Sequence, residues 1–408
     1  MCGSKKSVDA IPPSKARRQL PRTVASASTS SAGTSYKTTI SSAPTRSYPS
    51  SSNKNSSSAS ITSLRDSLPE KPHIYSFQEI ATATNNFLNR SISASSAAWR
   101  CSIRDKDVVV FQRRLRRSLP ISELRRRLAI LCKSHHAALA KLLGASLSGD
   151  YIYLVYEFIT GANLSDCLRN PKTPDYTVLG TWLSRMQIAE DVAHGIEYIH
   201  HSTGLDLFLV HNHIKSSTIV LTDLDLRAKI CHFGAAELTG EIGDEPVGEI
   251  EEEGALRRTG SRTMKVEVTR GYIPPEIIAG GNASRKSDVY AVGVVLLELL
   301  SGAEPLKYRF DKTTGDCERE SLIAIAAEAA DDEGKLRRWI DRRLRDSYPM
   351  EVAKKVTRLA LDCVHVDMDK RPDMRRVKEK ISRRYLESKA WSDKMKIPTE
   401  LTVSLTGR

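Results

Sequence analysis

The chain lacks several things, and each absence excludes a class of protein. Its seven cysteines, Cys2, Cys101, Cys132, Cys167, Cys231, Cys317 and Cys363, are scattered and form no C-x-x-C pair. An odd number without paired spacing signals neither a disulfide framework nor a zinc site, and fits a reducing cytosol. The longest apolar run, Tyr290 to Leu300, is broken by Glu298 and is too short to cross a bilayer. No apolar stretch of signal-peptide kind follows Met1, so no secretory leader is expected. From residue 1 to about 72, acidic and aromatic residues are nearly missing. A Ser/Thr/Ala/Pro segment with Lys5, Lys6, Lys15, Arg17, Arg18 and Arg22 cannot bury enough apolar area to offset chain entropy, so it reads as a disordered basic tail.

What is present suits one large domain. The 408 residues, 40% of them hydrophobic, suffice for a two-lobed unit, and nothing demands a second globular domain. The formal net charge of +13 favours an anionic partner in principle, but much of it lies in the tails. The first residues, Met-Cys-Gly-Ser-Lys-Lys, place Cys2 where N-myristoylation would need Gly. Palmitoylation of Cys2 beside Lys5 and Lys6 would make a two-signal anchor for an anionic leaflet. An unmodified cytosolic tail is the competing reading.

Several stretches carry periodic patterns. Tyr75 to Phe87 reads as a short amphipathic helix with Phe77, Ile80, Ala81 and Thr84 near helical spacing. Asp107 to Gln112 is a β-branched run that reads as a buried strand. Ile121 to Lys133 carries Leu124, Leu128 and Leu131 at helical spacing, and Leu183 to His201 reads as a long helix. Tyr151 to Phe158 reads as a strand running into a hinge. His211, His213 and His232 could in principle converge on a transition metal, but His-rich spots are more often neutral space-fillers and no fixed-spacing metal motif is present, so no metal is expected.

The segment Tyr75-Ser76-Phe77-Gln78-Glu79-Ile80-Ala81-Thr82-Ala83-Thr84-Asn85-Asn86-Phe87 resembles the signature preceding the kinase domain in plant receptor-like and receptor-like cytoplasmic kinases. Val210 to Leu221 resembles the protein-kinase catalytic loop H-R-D-L-K-x-x-N, and His232-Phe233-Gly234 resembles the metal-binding D-F-G. Further on, Gly271 to Glu276 resembles the A-P-E element, Ser287 to Gly293 the D-V-x-S-x-G helix start, and Asp369 to Pro372 supplies the late Arg. The resemblance covers about Pro72 to Tyr385. It implies an α+β, two-lobed protein-kinase fold at 73–385, with a small mostly-β lobe at about 91–157, a large mostly-α lobe at about 158–385, and a C-terminal tail at 386–408.

The resemblance also marks what has been exchanged. His213 holds the catalytic Asp position, Thr218 the metal-binding Asn position, and His232 the D-F-G Asp position. Phe111 stands where the ATP-orienting Lys belongs, Val109 where a small Ala faces the adenine, and Arg127 where the Lys-pairing Glu would sit, leaving Arg127 free to face solvent or a partner. Ser91 to Trp99 replaces the Gly-rich loop without one glycine. Side chains there, with Trp99 nearby, oppose a close backbone cradle for phosphates. Lys215 is the one phosphate-binding remnant. The resemblance implies that His211 and Phe233 keep the apolar stack between the lobes, with Leu131 contributing from the helix. It likewise implies that Glu276 and Arg371 form a buried ion pair and that Asp288 braces the loop.

Phosphoryl transfer needs hard oxygen ligands for Mg²⁺ and a carboxylate to take the substrate proton. The exchanged residues provide neither, so Mg-ATP is not expected as a cofactor and the chain reads as a pseudokinase. Its expected role is that of an adaptor or allosteric partner of active receptor-like kinases at the cytoplasmic side of the plasma membrane. The alternative is a weakly active Ser/Thr kinase with a non-standard ATP site. Nucleic-acid binding through the basic tail ranks last, because no aromatic-basic interleaving supports it. Between Gly234 and Pro274, the acidic run Glu237 to Glu253 reads either as a solvated loop or as a docking strip with Thr259, Ser261 and Thr263 as phosphoacceptors.

Overall fold

The computed structural model describes residues 72–88, 97–170, 172–173, 176–203, 209–242, 271–310 and 317–395. The basic tail with Cys2, most of the glycine-free loop, the phosphoacceptor candidates and most of the acidic run lie outside the described residues.

The small lobe is one five-stranded sheet carrying two helices. Strand β1 (His73–Ile74), helix α1 (Phe77–Ala83), strands β2 (Ala98–Ile103) and β3 (Lys106–Arg114), helix α2 (Ile121–Leu131) and strands β4 (Leu142–Ser148) and β5 (Tyr151–Glu157) follow in order. The sheet runs β1-β4-β5-β3-β2, with β1 parallel to β4 and its other pairings antiparallel. Helix α1 forms because Ser76 caps it, its hydroxyl accepting from the Glu79 amide, while Ile80, Ala81 and Thr84 go under it and Phe77 stays half out.

Side chains alternate across β3 with the pleat. Val108 and Val110 enter a cluster with Tyr75, Ile80, Tyr153 and Val155. Trp99, opposite Val110 in the register, turns to this same face and packs edge-on against Phe87, 5.0 Å between ring centres. Phe111 faces the other side of the strand. There Leu124, Leu128 and Leu131 of α2 are fully buried, as their helical spacing requires.

The large lobe opens with β6 (Gly161–Asn163) and α3 (Leu164–Leu168), followed by the long helix α4 (Trp182–Glu197), which ends in a π-turn at Tyr198–Ser202. Strands β7 (Ile219–Thr222) and β8 (Ala228–Ile230) complete a three-stranded sheet with β6. Helix α5 (Ala235–Thr239) follows, then α6 (Pro275–Ile278) and α7 (Arg285–Ser301), a helix almost wholly buried. An antiparallel hairpin, β9 (Leu306–Phe310) with β10 (Cys317–Ser321), leads to α8 (Leu322–Ala329), α9 (Glu333–Trp339), α10 (Met350–Cys363) and α11 (Met374–Met395).

The result is the two-lobed α+β architecture, a mixed sheet lobe above a helical lobe. Two boundaries differ from the sequence reading. The small lobe starts with β1, which pairs with Gly144 and Ala145, and α11 carries the folded chain past Tyr385 to Met395. The reason for the second is a buried stripe that ends in small residues: Val377, Ile381, Ser388 and Ser392 are buried on one side of α11, and the Trp182 indole donates to the Ser388 hydroxyl at 2.8 Å. Among the described residues, no helix is long and apolar enough to cross a membrane.

Candidate active-site cleft

The cleft between the lobes is built from β3, β5, the loop entering β7, and the turn after β8. Phe111 occupies it half-buried from β3. Its ring meets the His232 ring edge-on at 4.4 Å and the Tyr156 ring at 5.9 Å. The Tyr156 hydroxyl, from β5, donates to the Phe233 carbonyl at 2.9 Å. Hydrocarbon and aromatic surface therefore fill the centre of the cleft, with Val109 buried beside it. Two surface cavities, of about 440 and 300 Å³, lie in the large lobe.

His232 is buried and sits in the left-handed backbone region at φ 71°, a conformation uncommon for a non-glycine residue. Burial, then the basic side chains Arg113, His213, His211 and Lys215 nearby, hold its pKa well below the ordinary histidine value. Its ring lies 6.2 Å from that of His213. His213 in turn places Nε2 3.0 Å from Glu241 Oε2. Burial opposes ionisation of Glu241, but hydrogen bonding and charge attraction from His213 outweigh it and bring the carboxyl down to about 2. The Asn212 side-chain amide donates to the same Glu241 oxygen at 3.2 Å.

Thr218 serves the backbone. Its hydroxyl donates to the His213 carbonyl at 2.8 Å and accepts from the Lys215 amide at 3.2 Å. Lys215 is half-buried, and burial followed by the Arg113 charge lowers its pKa. Among the described residues no group of histidine, cysteine and carboxylate side chains is arranged to hold a metal ion. His213 and His232 present imidazoles to the cleft, and the Thr218 hydroxyl is engaged with the backbone.

Arg127 does not stand free, contrary to the sequence reading. It bonds Glu123 Oε1 at 2.7 Å on its own helix, and the carboxylate and carbonyl of Glu237 on α5 at 2.9 and 2.8 Å. Helix α5 is thus drawn up against α2, and its Ala235, Ala236 and Leu238 are buried. Phe233 is buried with Leu131 in one core, His211 is itself buried, and Gly234 admits the Leu131 methyls, where a Cβ would fall 2.9 Å from one of them.

A frame of paired charges holds the loop from below. Asp288, at the start of α7, accepts from the His211 and Asn212 amides at 2.7 and 2.8 Å and contacts His200 Nε2 at 2.9 Å. Burial alone would raise its pKa; these bonds lower it. Arg371 grips Glu276 bidentately at 2.6 and 2.7 Å and donates to the carbonyls of His365, Lys286 and Val366.

Sequence reasoning missed one buried centre. Glu298, which interrupts the long apolar run, is fully buried and gathers Arg169, Ser216 and Tyr272 at 2.7, 2.8 and 2.7 Å. A carboxylate inside an otherwise apolar helix was the available signal, because such a charge is kept only when paired. Arg113 was also legible: two residues beyond Phe111, it must share the face of β3 that looks into the cleft. The Glu237 partner of Arg127 and the Glu241 partner of His213 were not, since each lies across a long loop closure.

Residues 105–381 match the family described as Protein kinase domain. The chain belongs to that family. Related kinases include LysM domain receptor-like kinase 3 of Arabidopsis thaliana, 33% identical over 331 residues, which are 79% of this chain and 48% of the relative. Chitin elicitor receptor kinase 1 of Physcomitrium patens is 34% identical, covering 74% of this chain and 45% of the relative. The probable serine/threonine-protein kinase PBL28 of Arabidopsis thaliana is 31% identical over 74% of this chain and 76% of its own length. The kinase-family chain therefore spans about half the length of the receptor kinases it matches.

Proposed function

We propose that this protein-kinase-family chain is a pseudokinase, working as an adaptor or allosteric partner in receptor-kinase signalling at the cytoplasmic face of the plasma membrane. The observation that supports the reading best is the cluster Phe111–His232–His213: an aromatic ring fills the cleft, and neutral or cationic imidazoles stand where a metal site and a base would be needed. Residues that act as a unit in phosphoryl transfer fail together, so their joint exchange removes turnover rather than trimming it. The names of the relatives point to receptor kinases as the class of partner. Membrane attachment rests on Cys2 with Lys5 and Lys6.

The test is thermal unfolding of the full chain with millimolar ATP, alone and with Mg²⁺ or Mn²⁺. A ligand that binds the native state raises the melting temperature. No metal-dependent shift and no phosphate incorporation are expected, and a clear Mg²⁺-dependent shift with autophosphorylation overturns the reading. A second reading, residual Ser/Thr kinase activity through an unusual ATP pose, is favoured by Lys215 and by the kinase names of the relatives. It requires phosphate transfer that Lys215→Ala abolishes.

A further inference from the structure

The loop between β3 and α2 carries a cluster of charge that the proposed pseudokinase role does not use. Four of the five residues before Ser118 are arginines: Arg113, Arg114, Arg116 and Arg117. On the neighbouring helix, Arg126 and Arg127 meet Glu123, and Arg127 also meets Glu237. Among the described residues, no carboxylate is bonded to Arg114, Arg116 or Arg117. These three arginines are exposed, and so is Ser118, whose hydroxyl makes no hydrogen bond among the described residues. The loop is nevertheless held in place. Leu119 is buried and Leu115 packs against the same core, while the Leu115 and Arg116 amides donate to the Asp150 and Thr239 carbonyls at 2.8 and 2.9 Å. An exposed hydroxyl preceded by guanidinium groups has the chemistry that a kinase with a carboxylate-lined substrate groove selects.

The same loop touches the segment that secures the altered catalytic loop. The Arg117 side chain lies against Gly240 at the end of α5, where a Cβ would fall 2.8 Å from Arg117 Cγ. The Arg116 charge is one of the influences that keep Glu241 ionised, and Glu241 contacts His213 and Asn212. We propose that Ser118 is a phosphoacceptor for an arginine-directed serine/threonine kinase, and that its phosphate releases the end of α5 by claiming Arg116 and Arg117. In the transfer, the Ser118 hydroxyl oxygen bonds to the γ-phosphorus of ATP held by that kinase. The bond from the γ-phosphorus to its bridging oxygen breaks, ADP leaves, and the hydroxyl proton passes to that kinase's base. Phosphoserine brings a charge of about −1.5 to −2 and three acceptor oxygens. Placed beside Arg116 and Arg117, it competes with Glu241 for their charge and repels the Glu241 carboxylate. The site stands whether or not this chain itself transfers phosphate.

The test incubates the full chain with ATP and a purified arginine-directed serine/threonine kinase, and separately with ATP alone, and maps the phosphorylated positions by mass spectrometry. Incorporation at Ser118 of the folded chain is expected. It should vanish in Ser118→Ala and fall about tenfold or more when Arg116→Gln is combined with Arg117→Gln, the usual loss for charge-assisted contacts. Ser122→Ala, at an exposed position on α2, should leave it unchanged. Hydrogen exchange then compares the phosphorylated and unmodified chains. The Gly240 and Glu241 amides donate to the Ala236 carbonyl and should exchange about two to five times faster after phosphorylation, the size of an exposed charge effect. No incorporation at Ser118, or incorporation only once the chain is unfolded, disproves the acceptor site. Equal exchange disproves the release of α5. Labelling of Ser118 by the chain with ATP alone supports the site while overturning the pseudokinase reading, so the two failures are told apart.

Discussion

The frame beneath the loop and the cleft above it are both buried and both rich in ionisable groups, yet they are built on opposite rules. In the frame every buried charge meets its opposite or several amides: Arg371 meets Glu276, Asp288 meets His200 and two backbone N–H groups, and Glu298 meets Arg169 and two hydroxyls. In the cleft, the basic side chains Arg113, His213, His211 and Lys215 all oppose a positive charge on His232. Removing one member of a pair in the frame leaves its partner's charge buried and uncompensated. The cleft tolerates like charges because imidazole can avoid the penalty by staying neutral, as His211 does with its pKa pushed down to about 4, chiefly by burial.

The comparison can be broken at either end. The largest effect is expected from Glu276→Ala, which strands the fully buried Arg371 guanidinium; chemical denaturation should show a loss of about 3 to 5 kcal/mol. If the loss is under about 1 kcal/mol, the carbonyls around Arg371 suffice and the frame is not held by its ion pair.

Next comes acid sensitivity from the cleft. His211 and His232 titrate lower when folded than when unfolded, so below the unfolded value near 6.5 the unfolded chain binds more protons. Stability should therefore fall as pH is lowered from about 6.5 toward 4, by up to about 1.4 kcal/mol per pH unit for each ring. Denaturation at several pH values on His232→Phe should show a shallower slope than the unchanged chain; an equal slope would mean that His232 takes a proton in the folded state. Glu241 and Asp288 contribute in a lower window. Their folded values lie below the unfolded ones, so their stabilisation is intact above about 4.5 and is lost on further acidification.

Arg127→Met sharpens the comparison where the two regions meet. It removes the bonds from α2 to Glu237 and should cost about 1 to 2 kcal/mol, with faster amide exchange over Ala235–Thr239 as the readout. Unchanged exchange there would show that apolar burial alone seats α5. The smallest effect, about 1 kcal/mol by denaturation, is expected for Tyr156→Phe, which leaves the Phe233 carbonyl without its hydroxyl donor.

Much of the fold was written in local pattern. The alternation of β3, the leucine spacing of α2 and the Ser76 cap of α1 each express a short-range rule, and they emerged as those rules require. Helix α11 was hidden because its buried stripe is finished with Ser388 and Ser392, small polar residues that a hydrophobic period does not register. They are buried because the Trp182 indole supplies a partner from α4.

For the cleft, the sequence by itself determined which side chains stand at the exchanged positions, and with them the absence of a carboxylate at His213 and His232. The period of two along β3 also determined that Arg113 shares the face of Phe111. Only the tertiary structure decided where each charge was satisfied. Arg127 found Glu237 at a separation of 110 residues, and His213 found Glu241. Charge pairing at a distance depends on loop closure and burial, which no local spacing encodes.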